Sequence, residues 1–514
     1  MEKEIKRRWW LIPLLIILGV AAYLRLYMIS GYMTFLGDEG RDVLVVMHII
    51  VNHKFTLLGP TASVGGFFLG PIYYYFMLPF LWAWKLNPVG PAIMVALFGI
   101  ATVYLVFKVG KEFVSPLVGL VAASLYALSP LVIAYSRSSW NPNLVPFFSL
   151  LLIYLLWLSV EKKRTSTLLW VGVVLGIGLQ LHYLFLFLFV VAGIWLLLNA
   201  KTIPLLKSVL WVFIGFLIGY CPFFAFEIRH GFPNTQSVIR FVMAGKDTGI
   251  APGFFTTIDD VVFRMFGRLL YRLPDGALWK SLPPWQLTLW FIGTRTTIFI
   301  SYVFLIVLVA FRIPSKVRLY HAAQLLLIWF STVILLFGFY QKAIYDYYFG
   351  ILFTLPFLLI GFLLFALWKT RLGVILALII WGWLLFFNWQ GRPFLYTPNN
   401  QLAQARLIAG TALVHTDGKP FNFALITGSN SDHTYRYFFE IAGQAPITIE
   451  NNQVDPNRTT VTDQLIVICE LSDCKPLGNP LWEIAGFGRA EITGEWDVPF
   501  VKIFRLVHYT GVEI

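Results

Sequence analysis

The stretch WWLIPLLIILGVAAYLRLYMI at residues 9–29, followed by GDEGRD at residues 37–42, decides the fold. The first segment is apolar and long enough to cross a bilayer, because a transmembrane helix needs about 20 residues. Asp38 and Glu39 then place two adjacent carboxylates just outside this span, where charge is costly near lipid. Alone, the pair fits a solvated acidic turn as well as it fits a functional site, so the rest of the chain must decide.

The composition is that of a polytopic membrane protein. The chain has 514 residues, of which 58% are hydrophobic and 13% are charged. A soluble domain is usually about 45–50% apolar and about 25% charged. The formal net charge of +13 does not indicate nucleic acid, because the lysines and arginines lie in short loops between apolar runs, where they set the orientation of the spans. A bilayer is therefore the expected partner, and nucleic acid is not.

The apolar runs predict about 11 transmembrane helices. They cover residues 9–29, 91–109, 117–135, 144–160, 168–180, 183–198, 208–226, 289–311, 322–339, 347–367 and 372–389. The run at residues 72–84 is shorter and is interpreted as an interfacial or re-entrant helix. With this choice, the basic loops share one side with the N-terminal Lys3, Lys6, Arg7 and Arg8, while the short loops opposite hold only Arg137 and Lys342. The positive-inside rule therefore predicts a cytoplasmic N-terminus in a plasma-membrane protein.

Two domains are expected. Residues 1–390 form the transmembrane domain, with outer-face loops at 30–84 and 227–288. Residues 391–514 form a small soluble extracytoplasmic domain of the α/β class, with strands at 421–427, 464–469 and 499–507 and a helix at 432–442. Cys469 and Cys474 lie close enough in sequence to form a disulfide in that compartment, or to remain thiols.

With this topology, the polar residues outside the spans collect on the outer side, whereas the middles of the spans are nearly free of charge. An ion-coupled transporter would more often place ionisable groups near the midplane. The outer set includes Asp38, Glu39, Arg41, Arg137, Asn141, His182, Lys342, Tyr345 and Asp346, with Asp42 expected to face solvent on the next helical turn.

Transfer of a sugar at the membrane surface would use such residues. A carboxylate can accept the proton of an acceptor hydroxyl as it attacks an anomeric carbon. A lipid-phosphate leaving group needs cationic or hydrogen-bonding partners, such as Arg, Lys, His or Tyr. Tyr73 and Tyr74 can stack on a sugar, or belong to an interfacial aromatic belt. No spacing of His, Cys and Asp predicts a metal site, so no cofactor is expected, and a divalent metal stays an open alternative.

Four features occur in order within residues 1–370. They are the Asp38-Glu39 pair, GPIYYY at residues 70–75, ALSP at 127–130 followed by YSR at 135–137, and GIGLQLHY at 176–183. Together they resemble the motifs of the membrane glycosyltransferases of the GT-C type, and they are most similar to those of the protein O-mannosyltransferase and aminoarabinose-transferase (ArnT-like) superfamily, in its RgtA/B/C/D-like branch.

The resemblance implies an inverting transfer of a hexose or pentose from a polyprenyl-phosphate-linked donor to a glycan, lipid or protein acceptor. It implies Asp38 as general base with Glu39 beside it. Donor phosphate or lipid contacts are assigned to Arg137, His182, Tyr345 and Lys342, and acceptor or sugar contacts to Arg41, Tyr73, Tyr74, Asn141 and Asp346.

The chain also departs from the family pattern. No lysine stands directly before Gly70-Pro71, which puts a phosphate contact there in doubt, and no acid follows Arg137 closely enough to supply a second catalytic carboxylate. The alternative function is a non-catalytic protein that binds or flips a polyprenyl lipid, or that assembles the machinery of cell-envelope glycan synthesis.

Overall fold

The computed structural model describes residues 8–62, 66–243, 248–250, 252–274, 278, 282–312 and 317–511. Lys3, Lys6 and Arg7, on which the predicted orientation partly rests, lie outside these residues. The chain divides into two compact units. The membrane unit comprises Met1–Tyr27, Phe55–Phe80 and Pro91–Thr397, and the C-terminal unit comprises Met28–Lys54, Leu81–Gly90 and Pro398–Ile514. The segment that carries Asp38 therefore belongs to the C-terminal unit, although the sequence assigns it to the transmembrane domain. A domain boundary at residue 390 remains a prediction.

Helices dominate the chain, and a small sheet follows them. In chain order the helices are α1 Leu11–Leu26, α2 Ile29–Tyr32, α3 Gly37–Asn52, α4 Ile72–Ala83, α5 Val89–Phe113, α6 Pro116–Leu128, α7 Pro130–Tyr135, α8 Val145–Glu161, α9 Thr167–Leu181, α10 Leu186–Leu198, α11 Leu205–His230, α12 Pro233–Met243, α13 Phe254–Tyr271, α14 Pro284–Ala310, α15 Val317–Phe337, α16 Leu355–Leu367, α17 Arg371–Trp389, α18 Gln401–Val414, α19 His433–Ile441 and α20 Trp482–Ala485. Short 3-10 turns cover Asn141–Leu144, Tyr183–Phe185, Asp346–Ile351 and Pro393–Leu395. The strands are β1 Asn422–Ile426, β2 Gln464–Cys469, β3 Ala490–Val498 and β4 Val501–His508.

The predicted fold class, a polytopic helical membrane protein with a small C-terminal α/β domain, is confirmed. Among the described residues, six helices are long and apolar enough to cross a membrane, and six shorter apolar helices accompany them. Each run predicted as a span overlaps one of these helices. The run at residues 72–84 forms α4, whose 12 residues fall short of the usual spanning length. The number of spans remains a prediction.

Glycines allow α9 and α11 to pack closely in the membrane unit. A Cβ atom at Gly172 would overlap the carbonyl oxygen of Val212, and one at Gly176 would lie 2.7 Å from the carbonyl carbon of Gly219. A Cβ atom at Gly215 would likewise collide with the backbone of α9. The repeated spacing of four residues puts the glycines on one face of each helix, which is how small residues bring transmembrane helices together.

The C-terminal unit contains a four-stranded sheet in the order β1-β2-β4-β3. β1 and β2 are parallel and fully buried, and the other two pairings are antiparallel. The strands predicted at 421–427, 464–469 and 499–507 match β1, β2 and β4, and the helix predicted at 432–442 matches α19. The sequence analysis missed β3, because it is an exposed edge strand with a bulge between Ile492 and Gly494 and so has no apolar run. Cys469 and Cys474 form a disulfide.

Candidate functional site

Helix α3 begins with the segment GDEGRD at residues 37–42, which we call the acidic turn. The residue before it, Leu36, has no side-chain oxygen to accept hydrogen bonds from the first N–H groups of the helix. Two other side chains supply acceptors. Asn430 Oδ1 accepts the Gly37 N–H at 2.8 Å, and Glu39 Oε2 accepts the Leu36 N–H at 3.0 Å. The helix start is therefore held by a residue from the C-terminal domain.

The two glycines of the acidic turn are explained by this close approach. A Cβ atom at Gly37 would collide with the Ser431 side chain and lie 2.8 Å from the Ser431 backbone nitrogen. A Cβ atom at Gly40 would lie 2.6 Å from the carbonyl oxygen of His433. Real Cβ atoms essentially never come so near to backbone atoms, so any side chain at either position would push α3 away from the segment that leads into α19.

The acidic residues have different environments. The Asp38 side chain is 51% exposed and pairs with Arg41 at 2.8 Å, whereas Glu39 is only 6% exposed. Asp42 was expected to face solvent, but this expectation is wrong: Asp42 is fully buried and pairs with Arg41 at 2.8 Å. The reason is helical spacing, since Asp42 lies three residues after Glu39 and four before Val46, on a face that is buried. Asp38 is thus the carboxylate available to a ligand.

Burial changes the protonation of groups at the acidic turn. It raises the pKa of the Glu39 carboxyl to about 7, and the negative charges of Asp38 and Asp42 act in the same direction. Burial also lowers the pKa of His433, whose ring senses the charges of Asp432, Arg41 and Asp38. The sequence analysis missed His433, because it follows the acidic turn by almost 400 residues and stands in no motif.

His182 lies in the membrane unit between α9 and α10, where it is buried. Its Nδ1 accepts the Leu184 N–H at 3.2 Å, so in the neutral ring the proton is on Nε2. The ring centre lies 4.6 Å from that of Tyr183 and 5.2 Å from that of Tyr348. We call the side chains that meet here the aromatic cluster: Trp140, His182, Tyr183, Tyr345, Tyr347 and Tyr348.

Of the other predicted site residues, Tyr345 belongs to this cluster, and Asn141 and Tyr73 contact the loops next to it. Asn141 donates from Nδ2 to the Leu181 carbonyl at 2.7 Å, which ties its loop to the turn at His182. The rings of Tyr345 and Tyr347 are stacked with centres 5.8 Å apart. The Tyr73 hydroxyl lies 2.8 Å from Ser139 Oγ, in the same loop as Asn141, and Tyr74 is buried beside Tyr73 in α4.

Asp346 is held by two arginines that the sequence analysis missed. Its carboxylate oxygens lie 3.1 Å from Arg264 Nη1 and 2.6 Å from Arg268 Nε. Arg264 also donates to the carbonyl of Ile344 at 2.9 Å. The two arginines stand four residues apart on α13, so they share one helical face. The spacing of the two arginines was visible in the sequence, but the region 227–288 was predicted as an outer-face loop with short helices and no site residue was assigned to it.

Two buried arginines contact helix ends. Arg137 donates to the carbonyls of Leu24 at 2.6 Å and Tyr27 at 2.8 Å, at the C-terminal end of α1. Arg25 donates in turn to the carbonyl of Ala127, at the end of α6. Cations at these positions satisfy terminal carbonyls and complement the helix dipole. A contact of Arg137 with donor phosphate remains a prediction.

The structure therefore sorts the predicted site residues into two groups. Asp38, Glu39 and Arg41 belong to the C-terminal unit. The membrane unit holds Tyr73, Tyr74, Arg137, Asn141, His182, Lys342, Tyr345 and Asp346, of which Lys342 is exposed in the loop after Tyr340. Among the residues that the structure describes, no three His, Cys, Asp or Glu side chains form a group that could hold a metal ion. Metal dependence remains a prediction.

Comparisons with known proteins agree with the resemblance found in the sequence. Residues 71–225 match the family model described as dolichyl-phosphate-mannose-protein mannosyltransferase. The fold is similar to that of ArnT from Cupriavidus metallidurans bound to undecaprenyl phosphate, with a TM-score of 0.62 at 10% identity over 96% of this chain and 97% of that one. The apo form of the same protein gives 0.60, also at 10% identity over 96% and 97%.

A more distant likeness links the chain to the oligosaccharyltransferase of Archaeoglobus fulgidus tethered to an acceptor peptide. The TM-score is 0.50 at 12% identity, over 90% of this chain and 69% of that one. No curated protein sequence matches the chain. The resemblance to the protein mannosyltransferases is confirmed over residues 71–225, and at 10–12% identity the likeness to the solved structures shows the fold.

Proposed function

We propose that this chain, which has the GT-C fold and a mannosyltransferase family match over residues 71–225, is a membrane glycosyltransferase. It moves a sugar from a polyprenyl-phosphate-linked donor to an acceptor at the extracytoplasmic face, with Asp38 as general base. The observation that carries the proposal is the acidic turn. There, the exposed carboxylate of Asp38 pairs with Arg41 at a helix start that Asn430 holds by a hydrogen bond, and the neighbouring carboxyl of Glu39 is buried.

Asp38 suits the role of base better than Glu39. Its carboxylate is exposed and lies 2.8 Å from Arg41, so an acceptor hydroxyl can reach it from solvent. Glu39 is buried and its pKa lies near 7, so a large fraction of it is protonated at neutral pH. Glu39 then acts as a hydrogen-bonding neighbour that holds the Leu36 backbone, rather than as the base.

On the donor side, the membrane unit offers groups of the right chemistry. The aromatic cluster presents ring faces and tyrosine hydroxyls that can contact a sugar. Arg264 and Arg268 hold Asp346 next to Tyr345 and supply cationic donors for a phosphate. The candidate phosphate or lipid contacts are therefore these two arginines with Arg137, His182, Tyr345 and Lys342. The candidate sugar or acceptor contacts are Asp346, Tyr73, Tyr74, Asn141 and Arg41.

An apolar cavity of about 730 Å³ supports a lipid-linked donor. It lies among α13, α14 and α15 of the membrane unit, and its walls include Val262, Phe299 and Ile334. Arg295 and Asp259, joined at 2.7 Å, line part of the same cavity. Apolar walls suit an isoprenoid chain, and a nearby charged pair suits the polar end of an amphiphile. The cavity equally suits a protein that only binds such a lipid, which is the second candidate function.

The test is transfer of labelled sugar from polyprenyl phosphate donors in membranes that contain the wild-type chain or the Asp38→Asn variant. A general base contributes about 10²- to 10⁴-fold, so Asp38→Asn should lose at least about 100-fold in kcat. Asp497→Asn, at an exposed site of the same unit, is the matched control and should keep its activity. Full activity in Asp38→Asn would refute the assignment of the base. Lipid binding without turnover by the wild type, over a panel of hexose and pentose donors, would favour the non-catalytic function.

A further inference from the structure

We propose that Asn430 and Glu470 position the acidic turn for catalysis, which makes the C-terminal domain a part of the catalytic machinery. This inference rests on the proposed function. Neither residue is assigned to the reaction by any motif, and Asn430 contacts the backbone of the acidic turn rather than the Asp38 carboxylate. Both are therefore positioning residues.

Asn430 replaces the missing N-cap of α3. Its Oδ1 accepts three hydrogen bonds, from the Gly37 N–H at 2.8 Å, the Ser431 N–H at 2.9 Å and the Thr434 hydroxyl at 3.0 Å. A helix start normally takes its acceptor from the residue just before it. Here the acceptor stands 393 residues further along the chain, so the position of the acidic turn depends on the C-terminal sheet.

Glu470 fixes the orientation of the Asn430 side chain. Asn430 Nδ2 donates to Glu470 Oε1 at 2.8 Å, which orients the amide so that its oxygen faces Gly37. The hydroxyls of Thr427 and Tyr435 donate to the same carboxylate at 2.6 and 2.7 Å. With three donors around it, Glu470 is a rigid anchor for the amide.

The topology explains why these two residues meet. β1 ends at Ile426 and β2 ends at Cys469, and the two strands are parallel. Asn430 follows β1 and Glu470 follows β2, so both lie at the same edge of the sheet. The carboxyl ends of parallel strands are where α/β folds commonly place functional groups. In this chain that edge holds the acidic turn.

Steric contact adds to the hydrogen bonds. Gly37 and Gly40 touch the 431–434 segment without room for a Cβ atom. This close packing restricts the position of the acidic turn relative to that segment. Displacement of a reacting group by about 1 Å can cost about 100-fold in rate. Loss of the Asn430 acceptor should therefore reduce kcat even when the fold is retained.

A double variant that exchanges the amide of Asn430 and the carboxylate of Glu470 distinguishes a positioning role from a role in stability alone. We call this double variant the swapped pair. Asn430→Ala should lower kcat about tenfold or more, with a much smaller change in the donor KM. Asn430→Asp alone should behave similarly, because two carboxylates would then face each other. Asn430→Asp combined with Glu470→Gln restores one donor, one acceptor and one charge, so it should recover activity to within about threefold of wild type. Gln453→Ala, at an exposed position of the same unit, is the control.

Hydrogen exchange of the peptide that covers residues 35–42 gives a readout independent of turnover. The Gly37 amide should exchange faster in Asn430→Ala and return to the wild-type rate in the swapped pair. The proposal is overturned if Asn430→Ala keeps its kcat, or if the swapped pair stays as inactive as the single variants while the fold is intact. If the wild type transfers no sugar, the proposed function fails, and hydrogen exchange still shows whether Asn430 holds the turn.

Discussion

At the residue scale, Glu39 shows how burial sets the state of a carboxyl group. Its pKa is raised to about 7 by desolvation, whereas an unfolded chain would have a value near 4.5. Between these two values the folded protein keeps a proton that the unfolded protein has lost. Stability from this group is therefore fully present below about pH 4.5 and falls as the pH rises to about 7.

This predicts that Glu39→Gln stabilises the C-terminal unit at alkaline pH. The amide is neutral at every pH and keeps an oxygen for the Leu36 N–H, so it avoids the cost of a buried charge. At pH 8 the gain should be on the order of 3 kcal/mol at most, and it should shrink toward pH 5. The thermal unfolding midpoint across this range measures it, with the exposed Glu450→Gln as control. A gain of equal size at pH 5 and pH 8 would contradict the pKa assigned to Glu39.

At the element scale, the glycine face between α9 and α11 makes a second prediction. Gly176→Leu would place a side chain against the Gly219 backbone, where the space holds only the Cα hydrogen atoms of glycine. Separation of the two helices should lower the thermal unfolding midpoint in detergent by several degrees, because overpacking typically costs about 1–3 kcal/mol. Gly193→Leu in α10 is the matched control, since a Cβ atom there meets nothing within 4 Å. Equal midpoints for the two variants would show that this glycine contact does not set the helix spacing.

Also at this scale, apolar runs were easier to recognise than amphipathic or edge elements. The strands β1 and β2 are wholly buried, and most of their residues are apolar, so each strand is visible in the sequence as a short apolar run. β3 alternates exposed and half-buried residues, and the sequence analysis missed it. α13 lies in the region that the sequence predicts as a polar outer-face loop with short helices, because charged residues such as Arg264 and Arg268 leave no apolar run long enough for a span.

At the scale of the whole molecule, the charge distribution predicts which residues face the cytoplasm. Lys163 lies in a basic loop after α8, and Gln453 lies in the C-terminal domain; both are exposed. In a Cys221→Ser background, Gln453→Cys should react with an impermeant maleimide in intact cells, and Lys163→Cys only after permeabilisation. The parent without either new cysteine is the control, because Cys469 and Cys474 are joined in a disulfide. The opposite labelling pattern would show that the predicted orientation is wrong.

The sequence alone determined the class of the molecule and the position of its key motif. Hydrophobic runs and charge are local properties, so they predict membrane helices, buried strands and an acidic turn after the first span. Only the tertiary structure decided which carboxylate of the turn is exposed, why Asp42 is buried, and what holds the helix start. Its acceptor, Asn430, lies 393 residues from Gly37, and a hydrogen bond between such distant residues leaves no periodic pattern in the chain.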